Sequence, residues 1–342
     1  MIIRSKAPLR IGFAGGGTDV VPYCDWYGGA VLNGTINRYA YTSITYESDK
    51  VRLWSQDINK KWEGEKGKIL EIEEDDPFIL AKGVHNRMVE FYNLTPMAFS
   101  LSTHVDAPPG SGLGASSTLV VSIVKAFAEL YEIPMMLKEI AEMAYKIERV
   151  DLNLSGGKQD QYASTYGGIN YMQFNKDCTM IHPLQISDEI MNELSFNFLL
   201  YDTGTSRRSS KIINDQVNNI EDGDEQALKG MHNLKMQAEF FKNALLAGNL
   251  QGIGGLLDYG WQQKKLTAKG ISSPMIDLIY SKAIEAGATG GKISGAGGGG
   301  FMMFYCPAFA RYKVTEALKK YGGEFRRLSF TKEGVTSWKL RK

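Results

Sequence analysis

Three clusters of glycine interrupt an otherwise ordinary globular sequence: RIGFAGGGTD at residues 10–19, PPGSGLGASSTL at 108–119 and GAGGGG at 295–300. Glycine allows left-handed backbone and close approach to a ligand, so clusters this dense read as built loops. One such loop is weak evidence. Three, separated by normal sequence, imply a single site assembled from distant segments. The middle loop follows a strand-like alternation, MAFSLSTHVD, and leads into STLVVSIVKAFAELYE, which from Ser117 carries a helical apolar face without breakers.

A glycine loop between strand and helix can hold a dinucleotide or a triphosphate. Gly110, Gly112 and Ala115 fit the dinucleotide pattern G-x-G-x-x-[GA]. That site also needs an acid roughly 20 residues on, at the end of a second parallel strand. Glu132 stands at that distance, but between two helix-like runs. A triphosphate makes better use of small residues, free N–H groups in a first helical turn and the positive end of a helix dipole. It also uses a serine hydroxyl beside its Mg²⁺, and Ser116 and Ser117 open the helix-like run. No G-x-x-x-x-G-K-[ST] occurs, so a Walker loop is excluded. GAGGGG also fits the dinucleotide pattern, yet a strand-like run, FMMFYCP, follows it where a helix is required.

The chain has 342 residues, which suggests about two domains. A net charge of +1 argues against a broad nucleic-acid surface. The start, MIIRSKAPLRIGF, lacks a signal-peptide pattern, and no apolar run is long enough to span a bilayer. Three cysteines and four histidines lie far apart, so neither a disulfide framework nor a zinc cage is expected. A cytoplasmic enzyme is the expectation, with no nucleic-acid or membrane partner. The oligomeric state is open, a homodimer included.

Strands and helices are interspersed, and apparent hairpins argue against a simple parallel array. The expected class is α+β in two lobes, divided near residues 177–188. YAYTSITY (39–46) reads as a strand and KVRLWSQ as its hairpin partner. Residues 59–76 read as a solvated β excursion, and Trp54 as a candidate adenine contact.

The three loops resemble, in order and across the whole chain, the motifs of the GHMP small-molecule kinases, the family of galactokinase, homoserine kinase and mevalonate kinase. PPGSGLGASST resembles the central phosphate loop and KISGAGGGGF the C-terminal glycine motif. SGGKQDQYAS resembles the segment carrying the catalytic aspartate, which falls on Asp160. AYKIERV places Glu148 where the family has its Mg²⁺-binding glutamate; the metal-binding serine falls on Ser116 and the cationic residue beside the aspartate on Arg10. The first motif departs from galactokinase and mevalonate kinase: Gly15-Gly16-Gly17 replaces their Gly-Glu-His, while Asp19 remains.

The resemblance implies a two-lobed GHMP kinase fold, with a ribosomal-protein-S5-like lobe over residues 1–180 and a ferredoxin-like lobe over 181–342. It implies ATP and Mg²⁺ as cofactors. Pro109, Gly110, Ser111, Gly112, Leu113, Gly114, Ala115, Ser116 and Ser117 would hold the phosphates, Ser116 and Glu148 the metal, and Asp160 and Arg10 would act in catalysis. Substrate contacts would come from Thr18, Asp19, Gly156, Gly157, Gly297 and Gly298. Arg207 and Arg208, at the start of a helix-like run, would cradle a phosphate already on the substrate. AGGGTD, YDTGTSRRSS and GATGGKISGAGGGGF resemble the branch acting on fucose-like sugars and heptose phosphates. That implies D-glycero-D-manno-heptose 7-phosphate as acceptor, phosphorylated at O1. The open alternatives are another acceptor of fucose or mevalonate type, a non-catalytic sugar sensor, and a dinucleotide-dependent oxidoreductase.

Overall fold

The first strand, β1 (Ile2–Ala14), alternates at its start and is buried almost without interruption from Ala7 onward. That is the pattern of a strand leaving a half-exposed sheet edge for a position covered on both faces. The computed structural model describes residues 1–67, 69–205 and 209–341. After β1 come α1 (Tyr23–Tyr27), β2 (Gly29–Glu47), β3 (Lys50–Ser55), β4 (Lys60–Glu65), α2 (Ile79–Phe91), β5 (Ala98–Val105) and α3 (Ala115–Leu130). Next, α4 (Leu137–Lys146) runs into a π-helical turn (Ile147–Asp151), followed by α5 (Gln159–Tyr166), β6 (Ile169–Phe174), β7 (Thr179–Pro183), α6 (Asp188–Asn197) and β8 (Phe198–Asp202). The remainder is α7 (Ser209–Glu221), α8 (Glu225–Leu246), α9 (Ile253–Thr267), α10 (Pro274–Glu285), β9 (Gly290–Ile293), β10 (Phe301–Tyr305), α11 (Ala310–Leu318), β11 (Glu324–Arg326) and β12 (Thr336–Leu340).

The strands form two sheets among the described residues. The larger runs β12-β1-β2-β5-β3-β4, with β6 and β7 continuing from the N-terminal half of β2. The smaller, β11-β8-β10-β9, is antiparallel throughout. Its strand order and β–α–β–β–α–β sequence agree with the ferredoxin-like expectation, with α7 to α10 filling the first connection. No helix among the described residues is long and apolar enough to cross a membrane.

Three readings need correction. The strand expected at 39–46 begins at Gly29. β3 is not its hairpin partner: β2 has β1 on one edge and β5 on the other, so β3 adds to the far edge of β5, parallel to it, and pairs with β4. The lobe division also differs. β7 ends at Pro183, inside the expected 177–188 window, but β12 returns to the large sheet from the far end of the chain. The lobes moreover share one apolar core in which Leu9, Phe13 and Leu32 meet Phe198, Leu200, Phe241 and Phe301. The rings of Phe13 and Phe241 stack at 5.5 Å. The boundary is therefore a change of sheet within continuous packing.

Two local features position the site. The register of β1 against β2 shifts between Pro8 and Arg10 and again between Gly12 and Ala14. Pro8 has no N–H to give the ladder, and irregularities of this kind re-aim side chains; Arg10 lies between the two. α3 starts at Ala115, two residues earlier than its apolar pattern suggested, from Gly114 in left-handed conformation. No acidic residue sits in its own first turn, so the helix itself does not offset the positive end of its dipole.

Candidate active site

The three glycine loops converge. The carbonyl of Gly112 is their junction: it accepts from the Arg10 guanidinium (Nη1) at 2.7 Å and from the Ser294 hydroxyl at 2.9 Å. Backbone bonds from Arg10 N–H to Leu113 O and from Phe301 N–H to Ser111 O tie the same segments. Gly112 has φ +75°, and a Cβ there would lie 2.3 Å from the Ser294 carbonyl oxygen, so no other residue fits without parting the loops.

Beside this junction is a cleft of ≈ 530 Å³. That is within the usual range for small-molecule sites. Ile58, Leu80, Val105, Ala107 and Leu119 give it an apolar end, with Ser55 and Asp57 as polar neighbours. Pro109 to Gly112 and Gly114 to Ser117 line its middle. Asp160, Arg10, Asp19 and Gly16-Gly17 line the other end.

Asp160 is the second residue of α5, and its carboxyl faces the phosphate loop: a Cβ on Gly114 would lie 3.2 Å from Asp160 Oδ2. Arg10 holds Oδ1 through Nε and Nη2, each at 2.6 Å. One guanidinium thus braces both the carboxylate and the loop. Its rigid fork suits that double task, which a lysine could not perform in the same geometry.

Glu148 sits in the π-helical turn, 1% exposed, yet it lines the cleft. The Ser116 hydroxyl donates to its Oε1 at 3.0 Å, and the Gln161 amide donates to Oε2 at 2.5 Å. Arg149 lies 3.7 Å from Oε1 and also donates to Ser117 Oγ and to the carbonyls of Leu154 and Gly157. Ser117 therefore spends its hydroxyl on Arg149 and Gln161, whereas Ser116 remains exposed to the cleft.

Asp19 is buried and holds three hydrogen bonds. It accepts from Gly17 N–H at 3.1 Å, from the Gln159 side chain at 3.0 Å and from Gln159 N–H at 3.0 Å. The last bond caps the first turn of α5, so Asp19 orients the helix that carries Asp160. Gly157 is required beneath it, because a Cβ would lie 1.9 Å from Asp19 Oδ2.

Not every expected residue reaches the cleft. Thr18 is fully buried, and its hydroxyl shares one proton between the carbonyls of Gly15 and Ala30 and accepts from Ala30 N–H; it closes the first loop and does not line the cleft. Of the third loop, Gly295 and Ala296 line the cleft. Gly297 and Gly298 pack away from it against Ile271, with Gly298 N–H donating to Ile271 O. Leu113 is a core residue whose carbonyl serves Arg10. Gly156 and Gly157 do line the cleft. Trp54 points to the opposite face of the sheet, beneath the Lys61 ammonium, while its neighbours Ser55, Asp57 and Ile58 face the cleft. Alternation along β3 would have separated them. Arg207 and Arg208 lie outside the described residues; Ser209 and Ser210, which follow, line the cleft.

Sequence reasoning missed Gln159, Gln161, Arg149, Lys264 and Lys292. Arg149 adjoins Glu148 in the motif quoted for it, and Lys292 opens the KIS flank of the third loop. The glutamines and Lys264 carry no local signal. Lys292 lines the cleft, and burial, with Lys264 and Arg10 nearby, pushes its ammonium down to about 7.

Residues 80–168 match the family model for the GHMP kinases N-terminal domain and residues 241–324 that for the GHMP kinases C-terminal region. The chain is 42% identical over 340 residues to the D-glycero-alpha-D-manno-heptose 7-phosphate kinase of Campylobacter jejuni, with 99% of each chain covered. Among solved structures it resembles a D-glycero-D-manno-heptose 1-phosphate kinase from Bacteroides thetaiotaomicron, at 39% identity and TM-score 0.84 over 99% of this chain and 100% of that one. A mevalonate kinase from Methanococcus jannaschii shares the fold at 21% identity and TM-score 0.76, covering 97% and 98% of the two chains.

Proposed function

This chain belongs to the GHMP kinases, and from that premise we propose that it transfers the γ-phosphate of ATP to O1 of D-glycero-D-manno-heptose 7-phosphate, giving the 1,7-bisphosphate. The observation that carries the chemistry is the brace formed by Arg10, which joins the Asp160 carboxylate to the carbonyl of Gly112 in the phosphate loop. The acceptor class follows the full-length similarity to a heptose 7-phosphate kinase. The names of the two relatives differ on which end of the heptose is already phosphorylated, and the one at 42% identity names the 7-phosphate.

Phosphoryl transfer asks a protein chiefly for positioning and for stabilisation of charge on the moving group. The apolar end of the cleft receives the nucleobase. The N–H groups around Gly114–Ser117 and the α3 dipole face the phosphates. Asp160 accepts a hydrogen bond from the acceptor O1 hydroxyl, orienting it or taking its proton, and Arg10 steadies the charge that develops beside it. Asp19, Gly156 and Gly157 form the wall against which the sugar lies.

The donor set fits Mg²⁺. Among the described residues no cluster of three or more His, Cys, Asp or Glu could cage a metal. One carboxylate and one exposed hydroxyl, Glu148 and Ser116, stand 3.0 Å apart beside the phosphate loop. Mg²⁺ is commonly held by one or two protein oxygens, with phosphates and water completing its shell. When bound, it neutralises charge on the β- and γ-phosphates. We assign the nucleotide end to the large sheet (broadly residues 1–180) and part of the acceptor end to α7 and α9 of the later half (181–342). Arg207 and Arg208 are assigned to the phosphate the acceptor brings. The cytoplasm is the proposed location, since ATP and sugar phosphates are found there and Cys24, Cys178 and Cys306 are unpaired.

Two outcomes check this reading. Assayed for ADP release with a panel of heptose 7-phosphate, heptose 1-phosphate, the free heptose, fucose and mevalonate, the protein should prefer the 7-phosphate. Turnover of fucose or mevalonate alone would overturn the acceptor assignment. The second concerns pH. With its ammonium pushed down to about 7, Lys292 in the free protein loses charge as pH rises through that value. A polyphosphate favours the charged form and raises its pKa in the complex. Binding of Mg·ATP above pH 7 should therefore take up protons, and affinity should weaken as pH rises. Calorimetry at pH 8 in two buffers of different ionisation enthalpy should register net uptake that Lys292→Met largely loses. No uptake in the wild type would contradict this.

A further inference from the structure

Lys264 has no task in the transfer described above. It projects from α9, is 7% exposed and lines the acceptor end of the cleft. Its ammonium donates to the Gly16 carbonyl at 3.0 Å, its one hydrogen bond among the described residues. An ammonium has three donors, so capacity is left over. The counter-charge that acts on it is Asp19, which bonds Gly17 and Gln159 and makes no ion pair with Lys264. No salt bridge reaches Lys264 among the described residues. Burial pushes its ammonium down to about 8 despite the pull of Asp19.

Its position along the cleft follows from contacts. The phosphate loop touches Asp160 at Gly114; Gln159, next in the chain, bonds Asp19; and the space above Gly17 is taken by Lys264 Nζ, 2.7 Å from where a Cβ would stand. Lys264 thus lies on the Asp19 side of Asp160, opposite the glycines of the phosphate loop, with Lys292 in electrostatic reach.

We propose that Lys264 is a specificity-determining residue that pairs with a phosphomonoester the acceptor sugar already carries. A buried cation without a full set of partners is costly, and a second anion relieves that cost. A neutral hydroxyl would fill a donor and leave the charge uncompensated. This inference rests on the sugar-phosphate reading given above. Lys264 supplies the contact from the floor of the acceptor end, held in place by the first glycine loop.

The test compares two acceptors, heptose 7-phosphate and the same heptose without its phosphate, at saturating Mg·ATP, for wild type, Lys264→Gln and Lys264→Arg. Loss of a charge-assisted hydrogen bond predicts that Lys264→Gln lowers the ratio of the two kcat/KM values, phosphorylated over free, by about 10- to 100-fold. The change should lie mainly in KM for the sugar phosphate, and Lys264→Arg should restore part of it. Glutamine keeps a donor for Gly16, and a circular dichroism spectrum and KM for ATP close to wild type mark the variant as intact. An unchanged ratio, with both acceptors losing equally, would overturn the inference and leave Lys264 as a support for the loop. A wild type that ignores heptose 7-phosphate would overturn the acceptor reading itself, and this inference with it.

Discussion

Asp160→Asn should lower kcat by about 10²- to 10⁴-fold with KM for ATP little changed. The substitution keeps shape and removes one negative charge. Asp160 does not line the nucleobase end, and the phosphate loop is held by Arg10 and Ser294 through Gly112, contacts that an asparagine leaves in place. What is lost is the group that faces the acceptor hydroxyl, together with the partner of the Arg10 fork. A thousandfold fall corresponds to about 4 kcal/mol of transition-state stabilisation. Because the side chain is 20% exposed and its ion pair is solvated at one edge, the fold should tolerate the change. A kcat within about tenfold of wild type would show that Asp160 neither orients nor deprotonates the acceptor. A parallel rise in KM for ATP would show that the brace matters more for nucleotide binding than for transfer.

Glu148→Gln should raise the Mg²⁺ concentration needed for half-maximal rate by at least about 10- to 100-fold, the range seen when even outer partners of a metal are lost, and lower the rate at saturating metal. The carboxylate is the one buried anion that meets Ser116, and its second oxygen is fixed by Gln161. An amide at this position keeps volume and one acceptor, but it sets an NH₂ group against either Ser116 or Gln161. Stability of the metal-free protein should change far less than activity, since removing a buried charge recovers desolvation free energy while a hydrogen bond is lost. Titration of activity against Mg²⁺, with thermal unfolding in chelator as the control, separates the two effects. Equal Mg²⁺ dependence in wild type and variant would remove Glu148 from the metal site.

Much of the site was legible because its backbone is special. Left-handed turns at Gly110, Gly112 and Gly114 favour glycine, and three within five residues make the phosphate loop visible in one dimension. Asp160, Glu148 and Ser116 were legible through their motifs. The misassigned residues show where this stops. At Gly297 glycine makes room for Ile271, and at Gly112 for the Ser294 carbonyl. A sequence cannot tell room made for a ligand from room made for another loop. Thr18 is a short polar residue in the right loop, but its hydroxyl is consumed by two carbonyls. Strands were read from alternation, which identifies a strand and which of its residues share a face but not its neighbour, so β3 was joined to β2 in place of β5. Lys264 had no legible role, because a lysine in a helix is ordinary until tertiary packing buries it beside a cleft.

The most direct test of the central claim is the product itself. The protein, ATP, Mg²⁺ and D-glycero-D-manno-heptose 7-phosphate are incubated together and followed by ³¹P nuclear magnetic resonance with proton coupling. A new phosphomonoester signal coupled to the anomeric proton, growing in step with ADP while the 7-phosphate signal persists, is the predicted result. ADP formation without that signal, or a new phosphate coupled to any other sugar proton, would contradict it.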